Sequence, residues 1–298
     1  MAVNSILYID SYMRSGSTLL GMLLGAQPGI TYLGEVRNFQ EHWLNRKRCY
    51  CGYDLNACPF WAGIIARLEI SPTVFETKTD RSPAHKLVKY ASVLNTASCF
   101  ISLLGRFFPS IRREYRVIEN ISRIYELVLS QKKLVFLCDS SHRSTQAKLL
   151  WLHYRDRFKI IHLVRDGRGV TNSVMKRKRI SMEQAARTWK RSNIFTLITQ
   201  IGIPKQNLIR VRYEDICSNP EIELKRICDF GGVDSNEVST QLTSAMFHFV
   251  GGSSTIRDFG AQEHEIALDE RWKVELTDED KNVFDQIAGR INRLYGYA

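Results

Sequence analysis

The chain has 298 residues, 44% of them hydrophobic and 24% charged, the proportions of a globular protein able to bury a sizeable core. No stretch reaches 18 uncharged apolar residues, which excludes a membrane-spanning helix; the best candidate, 91–104, is broken by Asn95, Thr96 and Ser98. A formal charge of +11 and a pI near 9.4 exclude a preference for cationic partners and leave nucleic acid, an acidic membrane face or a phosphorylated small molecule.

In chain order, Met1-Ala2-Val3-Asn4 carries no charged leader and the first apolar run is only strand-length, so a cytoplasmic location is expected. Ser5 to Asp10 reads as a buried strand ending at a polar turn. Ser17 to Gln27 reads as a helix that opens on small capping residues and stops at Pro28-Gly29. From 73 to 133 the pattern turns helical and basic, as in an insertion that covers a sheet. Leu134 to Cys138, Phe158 to Val164 and Asn207 to Tyr213 read as further buried strands. Helical patterns cover Gly169 to Arg177, Met182 to Ile201 and Pro220 to Phe230. Thr277-Asp278-Glu279-Asp280 opens a capped helix that runs to about Tyr295. Strands alternating with helices predict an α/β fold in one domain, 1–298. It is a three-layer sandwich with a central, mostly parallel sheet of about five strands and helices on both faces. Ligands of such sheets bind at the carboxyl ends of the strands.

The join between the first strand and helix is Arg14-Ser15-Gly16-Ser17-Thr18. A small-residue turn at a helix N-terminus presents backbone N–H groups to an anion. Laid on the nucleoside-triphosphatase template G-x-x-x-x-G-K-[ST], only Gly16 and Thr18 match; Ser17 stands where the lysine that reaches the β/γ-phosphates belongs. Arg14 brings a bidentate cation from the other side of the turn. By itself this stretch is equally a plain strand-to-helix turn.

A second turn of the same kind is Val164-Arg165-Asp166-Gly167-Arg168-Gly169, with Ser173 eight residues after Arg165. Arg165 and Ser173 could clamp a separate phosphate; the plainer reading makes Arg165-Asp166 a capping ion pair. Two phosphate turns on neighbouring strands, neither suited to Mg·ATP, point to a nucleotide phosphorylated at both ends. The run Lys176-Arg177-Lys178-Arg179 reads as a solvated helix end.

These motifs resemble the 5′- and 3′-phosphate motifs of sulfotransferases that use 3′-phosphoadenylyl sulfate (PAPS), in the bacterial and carbohydrate-type branch related to tyrosylprotein sulfotransferases. The resemblance includes Arg212-Tyr213-Glu214-Asp215, Trp189 and Asn193, and the tail from His248-Phe249-Val250-Gly251-Gly252 through Arg257 to Asp269-Glu270-Arg271-Trp272. It does not cover 73–133. It implies a P-loop-like fold and transfer of a sulfuryl group from PAPS to a hydroxyl or amine of a small-molecule or carbohydrate acceptor, without a metal. Arg14, Ser15, Gly16, Ser17, Thr18 and Leu19 would hold the 5′-phosphosulfate; Arg165, Ser173 and Arg257 the 3′-phosphate. Tyr213 is then a nucleotide contact, and Trp189 either stacks near the adenine or belongs to the core.

Two residues compete as the base. Glu35, 21 residues after Arg14, has the spacing and context of the catalytic glutamate of tyrosylprotein and some bacterial sulfotransferases. His142, in Asp139-Ser140-Ser141-His142-Arg143, follows the central strand, where cytosolic sulfotransferases carry a Lys-Thr-His base. Many members of the family it resembles have a lysine at this position, so the sequence departs there, and a histidine titrates near neutrality unaided. Glu35 is preferred; the plainer roles are a surface carboxylate paired with Arg37 and a helix-capping histidine.

Cys49, Cys51 and Cys58 lie close together and could be three zinc ligands, with His42 as a fourth. Paired C-x₂-C spacing is absent, and similar stretches in bacterial sulfotransferases imply a structural feature, so no metal is expected. Phe75, Tyr90, Phe100, Phe107, Phe108 and Tyr115 of the insertion, with Lys78, Arg81, Lys86 and Lys89, are expected to touch the acceptor. They do not choose among sugar, phenol, alkaloid amine and lipid hydroxyl. A homodimer is left open. The rival readings are a small-molecule kinase of the P-loop type, opposed by Ser17 at the lysine position, and a non-enzymatic nucleic-acid-binding protein. The second would want basic residues clustered among exposed aromatics rather than at strand ends.

Overall fold

The computed structural model describes residues 5–78, 86, 88, 103, 107–131, 135–236, 238–242, 247–252 and 266–298. Five strands form one sheet: β1 (Ser5–Ser11), β2 (Ile30–Gly34), β3 (Phe136–Asp139), β4 (Phe158–Val164) and β5 (Leu208–Arg212). Their order is β2-β3-β1-β4-β5, and every pairing is parallel. β1 is buried at all seven positions because both of its faces are covered. Ile6 and Tyr8 enter one core cluster while Leu7 and Ile9 enter the other, as the two-residue period of a strand requires.

Helices cover both faces, as expected from the sequence. On the Leu7 face lie α1 (Ser17–Gly25), which carries Leu20, Leu23 and Leu24 inward, and a helix at Pro220–Gly231. On the Tyr8 face lie α2 (Phe39–Leu44), α3 (Trp61–Leu68), the long α4 (Pro109–Leu129) and α5 (Ser144–Tyr154). A third cluster joins α6 (Gly167–Lys178), α7 (Met182–Thr199) and the C-terminal helix Asp278–Leu294. The Ser181–Gln184 capping box starts α7, and Thr277 caps the last helix.

β1 is the central strand, with β3 and then β2 on one side of it and β4 and then β5 on the other, and ligands of such sheets bind in the crevice at the strands' carboxyl ends. No helix among the described residues is long and apolar enough to cross a membrane.

Candidate active site

Each strand delivers a polar residue to that crevice within three residues of its end. β1 leads into the 14–18 turn, β2 into Glu35, β3 into His142, β4 into Arg165 and β5 into Tyr213. All of these residues line one cleft of about 1300 Å³, along with Thr18 and Leu19; Ser15 is buried beside them. Among the described residues, ten lysines and arginines and four carboxylates line the cleft, so their field favours an anion. Arg177 and Lys178 are among the ten, so the basic run at the end of α6 is more than a solvated helix end.

Gly16 caps α1 at φ 89°, a left-handed conformation that only glycine adopts without penalty. A Cβ there would lie 2.4 Å from the Tyr213 ring. The bare backbone of the turn therefore rests against Tyr213, while the Ser17 and Thr18 side chains are buried at the helix start.

The two turns meet. Arg14 Nε donates to Ser173 Oγ at 2.8 Å, and Arg165 Nη1 donates to the Arg14 carbonyl at 3.2 Å. Burial, then the neighbouring Arg177 and Arg165, push the Arg14 guanidinium below its ordinary value. Arg165 lies 4.4 Å over the Tyr213 ring and donates from Nη2 to the Asp269 carbonyl at 2.7 Å; its side chain is also ion-paired with the Asp269 carboxylate at 3.2 Å. The capping pair of this turn is instead Asp166 with Arg168, at 2.7 Å, which leaves Arg165 to face the cleft.

In the same cleft, the two candidate bases are neighbours. Glu35 Oε1 lies 3.8 Å from His142 Nε2. Glu35 Oε2 accepts from Asn38 Nδ2 at 2.6 Å, and Oε1 accepts from the Gly252 amide at 3.3 Å. His142 is at φ 53°, a strained conformation for a residue with a Cβ. It turns the imidazole so that Nδ1 meets Ser11 Oγ at 2.8 Å and Nε2 meets Ser17 Oγ at 3.1 Å. Burial lowers its pKa, against the raising effect of Glu35. Behind it, buried Asp139 accepts from Tyr125 and from both the amide and hydroxyl of Ser141, fixing the loop that presents His142.

Some expectations change. Trp189 is core, 1% exposed and packed on Phe284 and Tyr295, not an adenine platform. Phe75 is also core, against Phe39 and Trp43, so it does not touch an acceptor. From the insertion, Lys78, Val88 and Glu114, Val117 and Ile118 of α4 reach the cleft. Arg257, Tyr90, Phe100, Arg81 and Lys89 lie outside the described residues. His42 faces the cleft from α2, and it is His248 that joins the three cysteines. The partners Asn38 and Ser11 were not singled out from the sequence, and Gly252 and Asp269 were quoted there only within the resemblance, with no partner assigned; Asn38 lies one helical turn after Glu35.

Residues 107–237 match the model of the sulfotransferase family. The match begins inside the expected insertion and takes in the second turn and Tyr213. The fold is similar to the sulfotransferase domain from the curacin biosynthetic pathway, with 17% identity, 96% of this chain and 98% of that one covered, and a TM-score of 0.50. It is also similar to the sulfotransferase domain from the Synechococcus PCC 7002 olefin synthase, with 18% identity, 100% and 96% covered, and a TM-score of 0.53. No curated protein is significantly similar in sequence. The matched segment, 107–237, is similar to the sulfotransferase family, and the five-stranded parallel fold is one that solved sulfotransferase domains share.

Proposed function

We propose that the chain transfers a sulfuryl group from PAPS to a hydroxyl or amine of a small-molecule or carbohydrate acceptor, releasing adenosine 3′,5′-bisphosphate. The observation that carries this is the junction of the two turns: Arg14 bonded to Ser173 and Arg165 bonded to Arg14, in one cleft with Glu35 and His142. A ligand with a phosphate at each end of its ribose satisfies both turns. The amides of the 14–18 turn receive the 5′-phosphosulfate, and Arg165 with Ser173 receives the 3′-phosphate. Arg14 lies between them.

In the transfer, an acceptor lone pair forms the new bond to sulfur. The bond from sulfur to the bridging phosphate oxygen breaks, its electron pair stays on the phosphate, and the acceptor proton passes to the Glu35 carboxylate. Arginines and amides neutralise the leaving phosphate, so the step needs no divalent ion. Glu35 is the better base, because its carboxylate is aimed by Asn38 and Gly252. Both nitrogens of His142 are engaged by serine hydroxyls, which suits it to holding Ser17 at the turn.

The test is thermal stabilisation by adenosine 3′,5′-bisphosphate without Mg²⁺, followed by an acceptor screen with labelled donor read by mass spectrometry. Stabilisation by Mg·ATP alone would instead identify a kinase, and salt-sensitive oligonucleotide binding with no nucleotide effect a nucleic-acid binder. Glu35→Gln should lower turnover by roughly 10²–10⁴-fold. Full turnover in Glu35→Gln with loss in His142→Ala would give the proton to the histidine.

A further inference from the structure

Outside the cleft, Cys49, Cys51, Cys58 and His248 converge, and their ligand atoms all lie within 4.8 Å of one another. Cys51 Sγ is 3.6 Å from Cys58 Sγ, and Cys58 Sγ is 3.4 Å from His248 Nδ1. Around tetrahedral zinc, bonds of about 2.3 Å to sulfur and 2.0–2.1 Å to nitrogen set ligand edges of roughly 3.8 Å (S···S) and 3.6 Å (S···N). The two observed separations match those edges and are far from the ~2.05 Å of a disulfide bond. We propose that Cys49, Cys51, Cys58 and His248 bind one zinc ion in a closed Cys₃His site.

The surroundings are built to hold these ligands. Cys49 and Cys58 are buried. The Cys49 carbonyl accepts from the Gly52 amide at 3.0 Å, folding Cys49 and Cys51 around one tight turn. The His248 ring stacks on Phe60 at 5.8 Å between centroids, and its carbonyl accepts from Trp61 Nε1 at 2.9 Å. Four protein ligands leave no open position, so the metal is structural.

The site also has a mechanical consequence. His248 starts the stretch that runs along β2: Val250 donates to the Leu33 carbonyl at 3.0 Å and accepts from the Glu35 amide at 2.7 Å, and Gly252 holds Glu35 Oε1. Zinc thus ties the 49–58 loop to the backing of Glu35. That consequence rests on the sulfuryl-transfer reading; the metal site does not.

The experiment uses the full chain, purified without chelator and reconstituted with zinc. Elemental analysis should give one zinc per chain, and cobalt exchange should give the intense visible bands of tetrahedral thiolate coordination. Cys51→Ser and Cys58→Ser should lose the metal, while Cys228→Ala, in the opposite core cluster, keeps it. Removal of the metal should lower turnover while bisphosphate binding persists. A folded native protein that takes up neither zinc nor cobalt overturns the proposal, as does a mass 2 Da low with a Cys51–Cys58 disulfide. Both readouts use the native chain, so variants that fail to fold do not affect them. Zinc at full occupancy in a protein unmoved by the bisphosphate would uphold the metal site and reject the transferase reading instead.

Discussion

Gly16→Ala tests the packing of the first phosphate turn. The left-handed backbone at φ 89° costs an alanine about 1–2 kcal/mol, partly offset by ~0.4–1 kcal/mol from a less flexible unfolded chain. The new Cβ would sit 2.4 and 2.9 Å from Cδ2 and Cε2 of Tyr213, so the ring must move, at an overpacking cost of about 1–3 kcal/mol. Tyr213 has little room to yield: it underlies Arg165 at 4.4 Å, donates to the Ala267 carbonyl at 3.3 Å and accepts from the Asp269 amide at 3.2 Å. The net loss is about 2–3 kcal/mol, or a Tm about 3–5 °C lower for a chain of this size, and bisphosphate affinity should fall with it because Arg165 loses its support. The assay is a double-mutant cycle with Tyr213→Ala, in thermal melts and calorimetric titration. Removing the ring removes the overlap, so the double variant should lose clearly less than the two single losses combined. Strict additivity, or an unchanged Tm in Gly16→Ala, would refute the argument.

Two further predictions concern charge. Burial, opposed by the Ser144 hydroxyl, raises Asp10 to about 7, above its unfolded value of 3.8. Its stabilising contribution is therefore complete below about pH 4 and lost as pH rises through 7. Asp10→Asn should gain on the parent by ~3–4 kcal/mol across that window and level off above it; melts of both proteins from pH 4 to 8.5 that differ by a constant would contradict this. Asp269, held below the usual carboxylate range mainly by Arg271 and further by Arg165, neutralises Arg165, the cation proposed above for the 3′-phosphate. Asp269→Asn should lower ligand-free stability by about 1–3 kcal/mol yet bind the bisphosphate more tightly; weaker binding in calorimetry would mean that Asp269 supports the phosphate rather than competing with it.

The sequence exposes the site's chemistry better than its bracing, for a physical reason. Arg14, Arg165 and Tyr213 could be read because a buried apolar strand announces its own end, and parallel strands all end at one edge. β2 escaped notice because Ile30–Gly34 is only five residues long and directly follows the Pro28-Gly29 stop. α5 escaped because it is buried nearly all round, from Gln146 to Leu152, so no polar face gives its residues a helical period. Trp189 could not be divided between ligand and core, since an aromatic on a helix carries the same local pattern in both.

What orients the charges arrives from far along the chain and leaves no local mark. Glu35 is aimed by the Gly252 amide, 217 positions away, and Arg165 by Asp269, 104 positions away. Cys58 meets His248 across 190 positions. The segments 247–252 and 266–272 thus brace two residues of one cleft, the first holding Glu35 and the second Arg165. A backbone amide does this work without a side chain of its own, so the motif that contains Gly252 does not say which residue it holds. The division is general to parallel sheets: strand ends supply reactive groups locally, and the returning chain fixes their direction.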